Sequence, residues 1–181
     1  ELLRTSRFDL YTELCARFQK LDPIQIDRAL NELRWATSDT GAARENYMPM
    51  RIDQLRSLYQ GGLIEIGAHT RSHVNLAAQS AEQQNKEICD SKKDLEGMLD
   101  GNVDSFAYPF GTIDHYSQWS IRCVQNAGFR IALSNFGGSV SRLSNRYEIP
   151  RCMIRDWDGN TFEKAMDCYY SGQRQFVAPG G

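Results

Sequence analysis

The sequence predicts an α/β domain with parallel strands, barrel-like or open, preceded by a purely helical segment. Three observations carry this. From Met50 onward, short apolar runs alternate with stretches of helical periodicity, the pattern of strand–helix–strand units. Before Met50 the apolar residues recur only at helical spacing. About four runs read as strands, too few to close a barrel of roughly eight. The expected organisation is a helical segment over residues 1–48, an α/β part over 49–171 and a flexible tail over 172–181.

The elements follow in order. Leu10, Leu14 and Phe18 recur every four residues and mark the apolar stripe of a first helix. Asp22-Pro23 reads as an N-cap and a first-turn proline, opening a second helix with Ile26, Leu30 and Leu33 on its buried face. Ser38 to Asn46 is polar and reads as a loop. Leu55, Leu58 and Tyr59 mark a helix stopped by Gly61-Gly62. Leu63 to Ile66 reads as a strand running into His69. Ser80-Ala81-Glu82-Gln83 reads as a capping box before a helix with Ile88, Leu95 and Leu99 on one side. Phe106-Ala107-Tyr108 is a second strand, closed by Pro109-Phe110-Gly111. A helix through Trp119, Val124 and Ala127 ends at Gly128, and the strand Phe129 to Leu133 follows. Glu148 to Ile154 reads as a fourth strand. Asn160-Thr161-Phe162-Glu163 caps a last helix containing Phe162, Met166 and Tyr169.

Composition excludes several classes. A net charge of −2 provides no footprint for nucleic acid or an anionic membrane surface. No apolar stretch approaches the roughly 18 residues of a spanning helix. Five cysteines, Cys15, Cys89, Cys123, Cys152 and Cys168, show no C-x-x-C pair and read as buried free thiols of a reducing compartment. A cytoplasmic location is the expectation, although Glu1 as first residue leaves any leader unread.

Chemistry concentrates at two predicted strand ends. His69 and His73 lie four residues apart, a spacing that can bring two imidazoles onto one side of a turn to hold a metal. Alternatively, one histidine caps the turn and the other packs. Pro109-Phe110-Gly111 taken alone reads as a turn. In α/β folds of this kind, chemistry collects at the carboxyl ends of the strands.

These residues, in this order, resemble the polysaccharide deacetylase family, the NodB-like carbohydrate esterases. The resemblance rests on Glu65-Ile66-Gly67 leading into His69-Thr70-Arg71-Ser72-His73, on Pro109-Phe110-Gly111 and on Ala127-Gly128-Phe129. Ile149-Pro150-Arg151 and then Arg155-Asp156-Trp157-Asp158 resemble the closing stretch of exopolysaccharide-type members. The match covers roughly Met50 to Met166. It implies a partial, distorted (β/α) barrel of the polysaccharide deacetylase type, with the first strands expected upstream of Glu1.

The resemblance also implies an activity: metal-dependent removal of acetyl groups from N-acetylated or O-acetylated sugars of a polysaccharide. It assigns His69 and His73 to a divalent metal, zinc first, with cobalt, nickel, manganese or iron as alternatives. The Phe110 backbone N–H enters an oxyanion hole. Tyr108, Pro109 and Trp157 turn toward the saccharide, and Asp156 and Asp158 tune the acid machinery. For Tyr108 and Trp157 a place in the core is the competing reading, and for the two aspartates a place flanking a loop.

The family's first motif, a Thr-Phe-Asp-Asp run that supplies a metal-binding aspartate and a catalytic base, has no match here. Arg7-Phe8-Asp9-Leu10 lies on a predicted helix and lacks the paired acids. Ala107 stands where many members carry arginine, and no histidine follows His115. The expectation is therefore a half-site, catalytically silent in this chain alone. Two alternatives stand beside it: a cyclic-amide hydrolase of the same fold, allantoinase-like, and a non-catalytic carbohydrate-binding relative. An open sheet also leaves apolar surface that a homodimer would cover.

Overall fold

The computed structural model describes residues 6–38 and 47–172. Helices α1 (Arg7–Phe18) and α2 (Pro23–Thr37) are followed by α3 (Ile52–Gln60), α4 (Ala81–Leu99), strand β1 (Ser105–Ala107), α5 (Gln118–Asn126), strand β2 (Ile131–Leu133) and α6 (Gly159–Tyr170). The predicted loop beyond Ser38 and the tail beyond Gly172 lie outside the described residues.

The sheet is parallel and grows in chain order. β1 and β2 pair with Phe106 opposite Ala132, and single parallel bridges add Ala68 beside Phe106 and Ile149 beside Leu133. The ladder runs through Ala68 N–H to the Ser105 carbonyl at 2.9 Å, Ala107 N–H to Ala68 at 2.8 Å and Ile149 N–H to Ala132 at 2.9 Å. Four adjacent positions are thus parallel, but two are single bridges, and the first of these, at Ala68, lies beyond the predicted run. Leu63 to Ile66 forms no strand: it lies at the sheet edge, where Leu63 is 96% exposed and finds no partner to pack on. The fourth run pairs in register only at Ile149; beyond it the Arg151 N–H reaches the Phe136 carbonyl at 3.0 Å, past the ladder partner that would continue the strand. Among the described residues the sheet does not close into a barrel.

The core lies between this sheet and α4 and α5. Phe106 and Tyr108 point the same way from β1, as period two requires, and both are fully buried. Phe106 meets the Phe129 ring at 5.2 Å and Tyr108 stacks on Tyr116 at 4.1 Å. Ile88 and Leu99 on α4 are buried and Leu95 packs against the same cluster, as predicted. Burying these apolar side chains stabilises the unit by roughly 1.5–3 kcal/mol each.

Several local expectations need correction. Neither α1 nor α2 holds a fully buried residue: of the predicted stripes Leu14, Phe18 and Ile26 are half-buried, Phe18 and Ile26 lining a cavity with His73 and Phe110, while Leu10, Leu30 and Leu33 are exposed. The helices form because their caps are sound: Ser6 and Asp22 each accept from the third helical amide in a full capping box. Ser80 likewise caps α4 by accepting from Gln83 N–H, but the Gln83 side chain turns to Glu87 instead of closing the box. The last helix is capped by Asp158, two residues before the predicted Asn160. No disulfide joins any of the five cysteines, and only Cys123 is fully buried, the other four being half-buried.

Candidate functional site

The site is built where two adjacent parallel positions run out. The chain leaves the bridge at Ala68 as His69, and leaves β1 as Tyr108-Pro109-Phe110-Gly111, so the two motifs emerge side by side. The Nδ1 of His69 lies 2.7 Å from the Ala107 carbonyl oxygen. A carbonyl only accepts, so Nδ1 carries the proton and Nε2 keeps a free lone pair. Burial lowers the His69 pKa, reinforced by the nearby His73 and Arg151 and opposed by the Ala107 bond. The ring is therefore neutral at neutral pH, the form that binds a metal.

His73 completes the pair. Its ring centre is 4.8 Å from that of His69, at an interplanar angle of 74°. With Zn–N bonds of about 2.0–2.1 Å, imidazoles sharing one tetrahedral ion have centres about 5 Å apart. The separation of the two rings is close to that spacing. Among the described residues no group of three His, Cys, Asp or Glu side chains could hold a metal.

Tight loop geometry presents these groups. Thr70 and His73 have φ of 60° and 56°, left-handed values that few non-glycine residues adopt. The Thr70 hydroxyl accepts from His73 N–H at 3.0 Å. Phe110, with φ of 60°, is the centre of a three-residue turn in which Gly111 N–H donates to the Pro109 carbonyl at 2.6 Å. Asn135, just beyond β2, pins this turn: its side-chain amide donates to the Phe110 carbonyl at 3.0 Å and its backbone N–H to Gly111 at 2.7 Å. The Phe110 N–H itself donates to no group among the described residues. The Phe110 and His73 rings meet edge-on at 4.9 Å.

The remaining predicted residues fall elsewhere. Tyr108 and Pro109 are buried behind the turn, and the Tyr108 hydroxyl donates to the Tyr147 carbonyl at 3.0 Å. Burial raises the Tyr108 pKa far above the usual phenol value. The expected saccharide contact of these two residues is thus replaced by a place in the core. Asp158 accepts from Thr161 N–H at 2.8 Å as the cap of α6. Asp156 is exposed and Trp157 half-buried. Among the described residues, no hydrogen bond joins Asp156 or Asp158 to His69, His73 or Phe110.

Glu87 escaped the sequence reading. It is a buried carboxylate on α4 that accepts from the N–H groups of Arg71 and Ser72, both at 2.9 Å, and from the Ser72 hydroxyl at 2.5 Å. A signal was available, since Glu87 continues the four-residue row of Ser91, Leu95 and Leu99 toward the helix N-terminus. A carboxylate on a core-facing row demands partners.

Parallel strands in chain order, chemistry at their carboxyl ends and a histidine pair in which His69 has a fixed tautomer define the class. The polysaccharide deacetylase family model matches residues 29–132, more than half of the chain, and the chain belongs to that family. The match opens inside α2, upstream of the expected start near Met50, and includes His69, His73 and Phe110.

Individual relatives follow. "Putative polysaccharide deacetylase YxkH" of Bacillus subtilis (strain 168) is 26% identical over 102 residues, covering 56% of this chain and 35% of that protein. The chain thus spans about a third of this curated relative's length. Among solved structures, Streptococcus pyogenes deacetylase PplD in complex with acetate superposes with a TM-score of 0.55 at 23% identity, over 61% of this chain and 47% of that one. IcaB from Ammonifex degensii superposes with a TM-score of 0.54 at 18% identity, over 64% and 52%. At these identities the likeness is one of fold.

Proposed function

We propose that this chain carries the histidine half of a metal-dependent site that removes acetyl groups from N- or O-acetylated sugars of a polysaccharide. The observation that carries this reading is His69, whose proton is committed to the Ala107 carbonyl while its free nitrogen shares a side with His73. His69 and His73 are the ligands, and zinc is the ion their nitrogen chemistry suits best. When bound, such an ion lowers the pKa of a coordinated water to about 7. The Phe110 N–H, uncommitted among the described residues, is placed in a turn whose stiffness suits an oxyanion donor. Acetate is present in the PplD structure, and acetate is what deacetylation releases.

The carboxylate ligand and the base are not found beside the histidines among the described residues. On this reading the chain alone binds metal weakly and releases no acetate. Trp157 and Asp156, exposed or half-buried after the fourth parallel segment, are the residues placed to meet a sugar. Asp158 acts through its cap on α6. The four parallel segments are consecutive staves of a distorted barrel, and α1 and α2 are a helical segment packed beside them, Phe18 and Ile26 lining a cavity with His73 and Phe110. Their exposed apolar residues Phe8, Tyr11, Ile24 and Trp35 are where a homodimer would form.

The test is release of acetate from N-acetylated chito-oligosaccharides by the intact protein, paired with Zn²⁺ titration by calorimetry. His69→Ala is expected to abolish release and to weaken Zn²⁺ binding at least 100-fold. Unchanged activity in His69→Ala would sink the assignment.

A further inference from the structure

The loop that carries the two imidazoles is held in an unfavourable conformation, and the structure shows what holds it. Two of its residues, Thr70 and His73, have left-handed φ, a state that costs a non-glycine residue on the order of 1–2 kcal/mol. Between them, Arg71 and Ser72 aim consecutive backbone N–H groups at one oxygen of Glu87, at 2.9 Å each. The other oxygen takes the Ser72 hydroxyl at 2.5 Å and the Gln83 amide at 3.4 Å. The Glu87 carboxylate is thus fully used, three of its four bonds going to the loop. It sits on α4, whose Ile88 and Leu99 are anchored in the core. The same helix grips the loop from outside, where Arg71 pairs with Asp94 at 2.9 Å.

We propose that Glu87 is the positioning residue of the histidine pair: it sets the loop so that His69 and His73 share one ion. This rests on the metal-binding reading above. The physical argument concerns competition. Without Glu87, two adjacent amides and a hydroxyl lose the buried carboxylate that holds them, and the loop, whose Arg71 and Ser72 are exposed, relaxes toward water and ordinary φ values. His69 remains tethered to Ala107, but His73, directly after the released Ser72, loses its fixed place. Two ligands that no longer converge bind the ion one at a time.

The test measures Zn²⁺ affinity of the intact protein by calorimetry, alongside amide exchange of Arg71 and Ser72. Glu87→Ala is expected to weaken Zn²⁺ binding 10- to 100-fold and to speed exchange at both amides. Glu87→Gln keeps the length but exchanges one acceptor oxygen for a donor, so its affinity should fall between wild type and Glu87→Ala. Ile121→Ala, a core change on α5, controls for stability: it should lower the melting temperature without changing Zn²⁺ affinity. If His69→Ala weakens Zn²⁺ binding and Glu87→Ala does not, the positioning role is refuted while the metal reading stands. If Ile121→Ala weakens Zn²⁺ binding as much as Glu87→Ala, the role of Glu87 is only structural. If His69→Ala itself leaves Zn²⁺ affinity unchanged, both the metal reading and the role of Glu87 fall.

Discussion

Replacing Gly111 by alanine separates two costs that a turn at an active site combines. Gly111 has φ of +70°, and a Cβ there would lie 2.8 Å from Asn135 Cβ and 2.9 Å from its backbone nitrogen. The left-handed conformation costs alanine about 1–2 kcal/mol. Forcing a methyl group against a neighbouring backbone adds about 1–3 kcal/mol. The sum, about 2–5 kcal/mol, corresponds to a fall in melting temperature of about 4–20 °C for a domain of this size. Gly128, after α5, has φ of +82° with nothing within 4 Å of an added Cβ, so Gly128→Ala carries the conformational cost alone. Its melting temperature should fall by about 2–8 °C. Thermal unfolding followed by circular dichroism compares the two. The same substitution pushes Asn135 from the turn and moves the Phe110 N–H. Loss of an oxyanion donor lowers kcat about 10²–10³-fold with KM little changed. Equal melting temperatures for the two variants would refute the steric argument. A Gly111→Ala enzyme with wild-type kcat would remove Phe110 from the oxyanion hole.

Two further outcomes test the placement of residues away from the histidines. Tyr108→Phe leaves the buried Tyr147 carbonyl without its hydroxyl donor and should destabilise the fold by about 1–2 kcal/mol in urea unfolding; a changed KM for saccharide would contradict its burial. The Asp158 carboxyl is held below its ordinary pKa of 3.8, chiefly by Thr161 N–H. Its stabilising cap on α6 is fully present above that ordinary value and is lost as pH falls through the lower folded one. Protection of the α6 amides, taken relative to their intrinsic exchange rate at each pH, should therefore fall in acid below pH ~4, and Asp158→Ala should show reduced protection at every pH. Protection in the native protein that does not change with pH would refute the cap.

Much of the architecture was legible because it is local. Asp22 and Ser80 are cap residues recognisable by type, and the Ile88, Leu95 and Leu99 row shows its period in one dimension, whereas the cap of the last helix is Asp158 and not the expected Asn160. Strand lengths were not legible. Leu63 to Ile66 has the composition of a strand but no neighbour to pair with, and pairing is a property of two segments. For the same reason the stripes of α1 and α2 are only partly covered, Leu14, Phe18 and Ile26 half-buried but Leu10, Leu30 and Leu33 exposed: periodicity states which side is apolar, not how much of it is covered.

The site divides along the same line. By itself the sequence determined the identity and order of the groups: two histidines at a four-residue interval, a Pro-Phe-Gly turn, the family they belong to and the absence of paired aspartates. These are facts about covalent neighbours. Only the tertiary structure decided that Ala107, 38 positions from His69, selects its tautomer, and that Tyr108 points inward. Only it brought Glu87 from a helix 14 residues beyond His73 to hold the loop between the ligands. Such roles depend on where a hydrogen-bond acceptor lies in space, and packing alone sets that distance.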